Sequence, residues 1–136
     1  MPQQPFALHG IDHIVLRVRD LRRSLAFYRD TLGCVLEREE PDLGLTQLRA
    51  GRSLIDLVTL DGPLGAGPPP GAGRNLEHFC LTLAPFDEQA LIAWLAARGI
   101  TAQVPAARSG AQGQGRAFYI DDPDGNRVEL KGAQPG

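Results

Sequence analysis

Two histidines and two carboxylates occupy matching places in short apolar runs. His13 opens the run IDHIVLRV at 11–18, and His78 lies within NLEHFCLTL at 75–83. Asp56 falls inside a third run at 53–60, and Glu129 inside RVELK at 127–131. Alternation of side chains along a strand sorts each run into two faces. Ile14, Leu16 and Val18 share one face, and His13, Val15 and Arg17 the other. Phe79, Leu81 and Leu83 oppose His78, Cys80 and Thr82, and Val128 and Leu130 oppose Arg127, Glu129 and Lys131. Ile55 and Leu57 oppose Leu54, Asp56 and Val58. Two imidazoles with one or two carboxylates suit a divalent transition metal that keeps open positions. A single histidine on a half-buried strand is more often a hydrogen-bonded structural residue. The matched positions in the two halves favour convergence on one ion.

Other side chains are weaker candidates. Arg17 shares the face of His13 and can hold an anionic group, or pair with a carboxylate of the same cavity. Tyr119 has the parity of Ala117 and Asp121 and lines the site, which leaves Phe118 and Ile120 to the core. Cys80 is a soft ligand or a small buried hydrophobe. Trp94 reads as core or interface packing, and His9 as part of an N-terminal arm. No G-x-S-x-G, Walker A, dinucleotide-binding or C-x-x-C pattern occurs in the sequence.

The elements that must position the four donors repeat. A strand at 11–18 leads to Asp20 as N-cap and a helix at 21–32 ended by Gly33, with Leu21, Leu25, Tyr28 and Leu32 at helical spacing. Strands at 34–39, 43–50 and 53–60 follow. The pattern restarts with a strand at 75–83, Pro85 in a first helical turn and a helix at 86–98 ended by Gly99. Strands at 100–104, 116–122 and 127–131 complete it, with a loop at 108–115. His13 and His78 are 65 positions apart, and Gly33 and Gly99 are 66 apart. The chain is therefore an α+β fold of two βαβββ modules, 11–60 and 75–131, joined by the Gly/Pro-rich linker 61–73. Pairing of the modules, within a chain or between chains, buries part of each curved sheet and leaves a concave groove. One domain over 9–132 holds both.

Composition narrows the function. The 136 residues suffice for one cored domain. With 14 basic against 16 acidic residues the formal charge is −2, so no extended basic field calls for nucleic acid or an anionic membrane. Two cysteines do not make a disulfide framework. The opening MPQQPFALHG has neither a basic start nor a long apolar stretch, so a cytoplasmic place is expected.

The segment DHIVLRVRDLRRSLAFYRDTLG at 12–33 and the ending FYIDDPDGNRVEL at 118–130 resemble the vicinal oxygen chelate superfamily of glyoxalases, bleomycin-resistance proteins and extradiol dioxygenases. The chain looks most like small single-domain bacterial glyoxalase-like proteins. The resemblance implies His13, His78 and Glu129 as ligands of one divalent ion (Ni, Co, Zn, Mn or Fe). Asp56 stands where bacterial glyoxalase I has a ligand glutamate one methylene longer. It also implies a homodimer, a small-molecule substrate, and a thiol cosubstrate such as glutathione whose carboxylate Arg17 would meet. The activity so implied is a glyoxalase-like lyase or isomerase acting on a hemithioacetal of methylglyoxal, with Glu129 moving the proton and Asp56 as second base. The alternatives within the resemblance are an Fe(II) ring-cleaving dioxygenase, a fosfomycin-type thiol transferase and a non-catalytic binding or resistance protein.

Overall fold

A computed structural model describes residues 5, 10–69, 71 and 76–133. His9, Asn75 and residues 70, 72 and 73 of the expected linker lie outside them. The chain divides into two compact units, Met1–Pro69 and Pro70–Gly136.

The first unit runs β1 (His13–Val18), α1 (Leu21–Leu25), a π-helical stretch (Ala26–Thr31), β2 (Val35–Glu40), β3 (Leu45–Ala50) and β4 (Ser53–Thr59). Its sheet has the order β1-β4-β3-β2. β4 returns parallel to β1, with Val15 opposite Asp56, while β3 pairs antiparallel with both β4 and β2. The second unit repeats the plan: β5 (Phe79–Leu83), α2 (Glu88–Ala96), β6 (Ala106–Arg108), β7 (Gly115–Asp121) and β8 (Arg127–Gly132). Its order is β5-β8-β7-β6, with β5 parallel to β8. Both units are thus βαβββ modules built on mixed sheets, as the sequence pattern predicts.

Burial follows the expected parity. Leu16 and Val18 are buried with Leu48, Ile55 and Leu57 in the first unit. Phe118, Ile120, Val128 and Leu130 are buried in the second, with Leu95 of α2. The opposite face of β1 carries Val15, which stays 53% exposed. Asp20 caps α1 by accepting from the Arg23 amide. Gly33 follows the helix at φ +87°, a conformation that costs a glycine little, and Gly99 does the same after α2 at φ +76°.

Four local expectations are corrected. The first helix is not α-helical to residue 32. It widens at Ala26–Thr31, where the Leu32 amide donates back to the Phe27 carbonyl and Thr31 Oγ1 to the Ala26 carbonyl. Ser24, Phe27 and Tyr28 are its buried residues, so the inner face is shifted from Leu21, Leu25 and Leu32. The second helix begins only at Glu88, because Asp87 is the N-cap and accepts from the Ala90 amide, so Pro85 lies ahead of it. Residues 100–104 form no strand: Val104 is 84% exposed, and ladder pairing begins at Ala106, after Pro105, which has no N–H to give. Trp94 is not a core residue. It is 45% exposed under the Arg98 guanidinium at 3.2 Å, and Leu95 takes the core position.

Cys34 is buried after the first helix, and its amide donates to the Tyr28 carbonyl. Burial pushes its thiol up to about 11 from 9.0. An unfolded chain releases that proton from about pH 9, whereas the folded chain keeps it until about pH 11. Proton linkage then makes this contribution to stability fall as pH rises across that window. Urea midpoints measured through it should decline less steeply in Cys34→Ala than in the parent chain. Equal slopes would contradict the assignment. Both described cysteines are free thiols, and among the described residues no helix is long and apolar enough to cross a membrane.

Candidate functional site

In the second unit, strand register assembles a group of side chains on one face. Glu129 on β8 is opposite Cys80 on β5 and opposite Tyr119 on β7. His78 precedes β5 with the parity of Cys80, and its Nε2 stands 3.1 Å from Glu129 Oε1. The Glu129 side chain is 7% exposed and that of His78 30%. The Tyr119 ring meets the imidazole edge-on, with centroids 5.0 Å apart. On its other nitrogen, His78 Nδ1 lies 3.5 Å from Glu77 Oε1, an oxygen that also accepts from Arg127 Nη1 at 2.8 Å. The expected pair His78 and Glu129 is therefore together, with Tyr119 beside it. The Cys80 thiol is held up at about 11, first by burial and then by the Glu129 carboxylate, so it is protonated at neutral pH.

In the first unit, His13 and Asp56 share one face on neighbouring strands, β1 and β4. Asp56 is 5% exposed. Its Oδ2 accepts from Gln47 Nε2 at 3.2 Å, from the residue opposite it on β3. Its Oδ1 is buried without a hydrogen-bond partner. His13 is bound through Nδ1 to Asp12 Oδ2 at 2.7 Å. A carboxylate only accepts, so Nδ1 carries a proton, and in the neutral ring Nε2 is left with its lone pair. The Asp12 hydrogen bond raises the His13 pKa above its ordinary value, desolvation opposes it, and the charges of Asp56 and Asp12 add to the rise. Arg17 lies on the same face, but two of its donors are engaged by the segment after β4. Its Nε donates to the Gly65 carbonyl at 3.0 Å and its Nη2 to that of Pro68 at 2.8 Å.

Sequence reasoning did not single out Asp12, Glu77, Gln47 or Arg108. A signal for the first two was present: each histidine directly follows an acidic residue, in IDH at 11–13 and LEH at 76–78. The repeat therefore extends to a carboxylate on the Nδ1 side of each imidazole, hydrogen-bonded to His13 but 3.5 Å from His78, whose buried Nδ1 has no hydrogen-bond partner. Such a carboxylate fixes ring orientation and tautomer in metal-binding histidines.

In type these donors are ones a divalent ion takes. Two ligand atoms about 2.1 Å from one ion, at right angles, stand about 3.0 Å apart. His78 Nε2 and Glu129 Oε1 have that spacing, at 3.1 Å. Asp56 Oδ1 is a buried carboxylate oxygen lacking a partner, the kind of group a cation satisfies. Among the described residues, no three His, Cys, Asp or Glu side chains are gathered as a metal cluster; the donors stand as pairs.

Comparison with known proteins gives the chain its relatives. The model of the Glyoxalase/Bleomycin resistance protein/Dioxygenase superfamily matches residues 10–130. Virulence protein STM3117 of Salmonella typhimurium is 28% identical over 126 residues, 88% of this chain and 81% of that protein. Its crystal structure superposes with a TM-score of 0.74 at 26% identity, covering 95% of this chain and 100% of that one. Catechol-2,3-dioxygenase of Bacillus subtilis is 30% identical over 95% of this chain, which spans 44% of the length of that enzyme. Glutathione transferase FosA of Serratia marcescens is 29% identical over 90% of this chain and 80% of its own length.

Proposed function

The chain belongs to the glyoxalase/bleomycin resistance protein/dioxygenase superfamily, and on that premise we propose that it is a metal-dependent, glyoxalase-like lyase or isomerase acting on a small oxygenated substrate. The observation that carries this reading is the contact between His78 Nε2 and the buried Glu129 carboxylate, with Tyr119 against the same imidazole. His13, His78 and Glu129 would hold the ion, with Asp56 as a fourth donor or as the holder of a water. When bound, the ion polarises adjacent substrate oxygens and stabilises negative charge developing on them. Glu129 removes the proton from the carbon next to the polarised carbonyl and returns it to the neighbouring carbon. Asp56 serves as the second base. Asp12, hydrogen-bonded to His13 Nδ1, holds that imidazole so that Nε2 of the neutral ring can ligate. Arg17 and Tyr119 meet the substrate or a thiol cosubstrate such as glutathione.

A hemithioacetal of methylglyoxal is the first substrate to assay, across Ni, Co, Zn, Mn and Fe. Oxygen uptake with a catechol, or adduct formation between glutathione and an epoxide, would transfer the reading to the chemistry named for the Bacillus or the Serratia relative. Binding of a small molecule with no turnover and no metal would make it a sequestering protein. A cytoplasmic homodimer, with 9–132 acting as one domain, goes with the proposal.

Asp12 supplies a prediction. Asp12→Ala removes the acceptor that sets the His13 tautomer, and loss of such a partner costs about 10-fold or more in metal affinity. Competition with a chromogenic chelator should show that weakening with the fold unchanged. Parent-like affinity in Asp12→Ala would remove His13 from the ligand set.

A further inference from the structure

We propose that Arg108 and Arg127, with the Tyr119 ring they stack on, form an oxyanion subsite that takes a carboxylate or phosphate-type group of the substrate. The two arginines come from β6 and β8, the strands on either side of β7, which carries Tyr119. The Arg108 guanidinium carbon is 4.6 Å from the ring centroid and that of Arg127 is 5.5 Å. In both residues Nε is buried with no hydrogen-bond acceptor. Native folds rarely leave such a donor unsatisfied, and a charged donor least of all. Arg127 has one carboxylate, Glu77, through Nη1. Among the described residues Arg108 has no ion-pair partner. Lys131 adds a third cation on the same side of β8: it is 2% exposed, and its ammonium donates to the Gly113 carbonyl at 2.9 Å. The three cations stand against the carboxylates of Glu77, Glu129 and Asp121, the last opposite Arg127 on β7, so the formal charges of this face balance, and what sets Arg108 apart is its buried, unsatisfied Nε.

The chemistry selects oxyanions. A guanidinium presents a planar fork of donors that matches a carboxylate or a phosphoryl group, and its face remains free to stack on an aromatic ring. Tyr119 joins the subsite to the proposed reacting centre, since its ring also meets His78 at 5.0 Å. The inference rests on the proposed function for the place of this subsite in a substrate. It adds that the substrate carries a negative group near the oxygens that are polarised, which an unsubstituted catechol does not.

The test uses chelator-treated protein, so that metal binding plays no part. Calorimetric titration with inorganic phosphate and, separately, with propionate distinguishes a phospho-type from a carboxylate ligand. One of them should bind saturably at one site per chain. Arg108→Gln should weaken that binding at least tenfold, whereas Arg98→Gln, which alters the arginine stacked on Trp94, should leave it unchanged. If Arg108→Gln fails to fold, Arg108→Lys keeps the charge without the fork and should still bind several-fold more weakly. Saturable binding of neither anion, or parent-like binding in the folded Arg108 variant, overturns the subsite. Anion binding that passes this test, in a protein that holds no stoichiometric ion before chelator treatment and takes none up when Ni, Co, Zn, Mn or Fe is added back, would uphold the subsite while removing the metal reading.

Discussion

Glu129→Gln is expected to keep its metal and lose its turnover. The amide nearly matches the carboxylate in shape, so the buried position, 5% exposed between Cys80 and Tyr119, remains filled. A carbonyl oxygen remains to face His78 Nε2. The amide has no basic oxygen for accepting a proton, and a positioned general base contributes about 10²–10⁴ in rate. kcat should fall by at least about 100-fold, with KM changed far less. Parallel metal analysis separates a missing base from a missing ion. Activity within a few-fold of the parent, at equal metal content, would assign the proton transfer elsewhere.

Asp122→Ala is expected to be the most destabilising of the changes considered. Asp122 is 6% exposed in the turn joining β7 to β8. Its Oδ1 accepts from the Asp124 amide at 2.9 Å and the Asn126 amide at 2.8 Å, and its Oδ2 from Asn126 Nδ2 at 2.8 Å. The Asp122 amide in turn donates to the Asn126 carbonyl at 2.8 Å. Removing the carboxylate strands three half-buried donors at once, a loss of about 3 kcal/mol. For a chain of this size that lowers Tm by roughly 10 °C. The turn also sets the register that places Glu129 opposite Tyr119, so activity should fall along with stability. Asp122→Asn keeps an acceptor and should lose less. Thermal unfolding of the two variants checks the order, and a parent-like Tm in Asp122→Ala would refute the role of the turn.

Much of this was legible because strand parity and the half-to-half repeat are strong signals. Alternation alone put Leu16 and Val18 in the core and His13 on the other side, and Val128 and Leu130 opposite Glu129. The turn at 122–126 was readable from its Asp-Pro-Asp-Gly-Asn residues. Local backbone chemistry was harder to read. The widening at Ala26–Thr31 leaves no periodic mark, because neighbours as close as Phe27 and Tyr28 are both buried. The apolar residues of 100–104 point to a strand there, but pairing starts only beyond Pro105, at Ala106. At the site, the donors were visible as residue types, but their partners were not. That Arg17 donates to Gly65 and Pro68, 48 and 51 residues away, depends on the course of a Gly/Pro-rich segment without periodicity. Arg108 was hidden for a related reason: a strand of three residues beyond a proline was read as loop.

The most direct test is the metal content of the full chain, purified without chelator or affinity tag, beside His78→Ala and His13→Ala. The account predicts about one divalent ion per chain in the parent and loss of most of it in either variant, with the fold retained. A parent that takes up no stoichiometric ion from any of the five metals, or variants that hold as much as the parent, would contradict it.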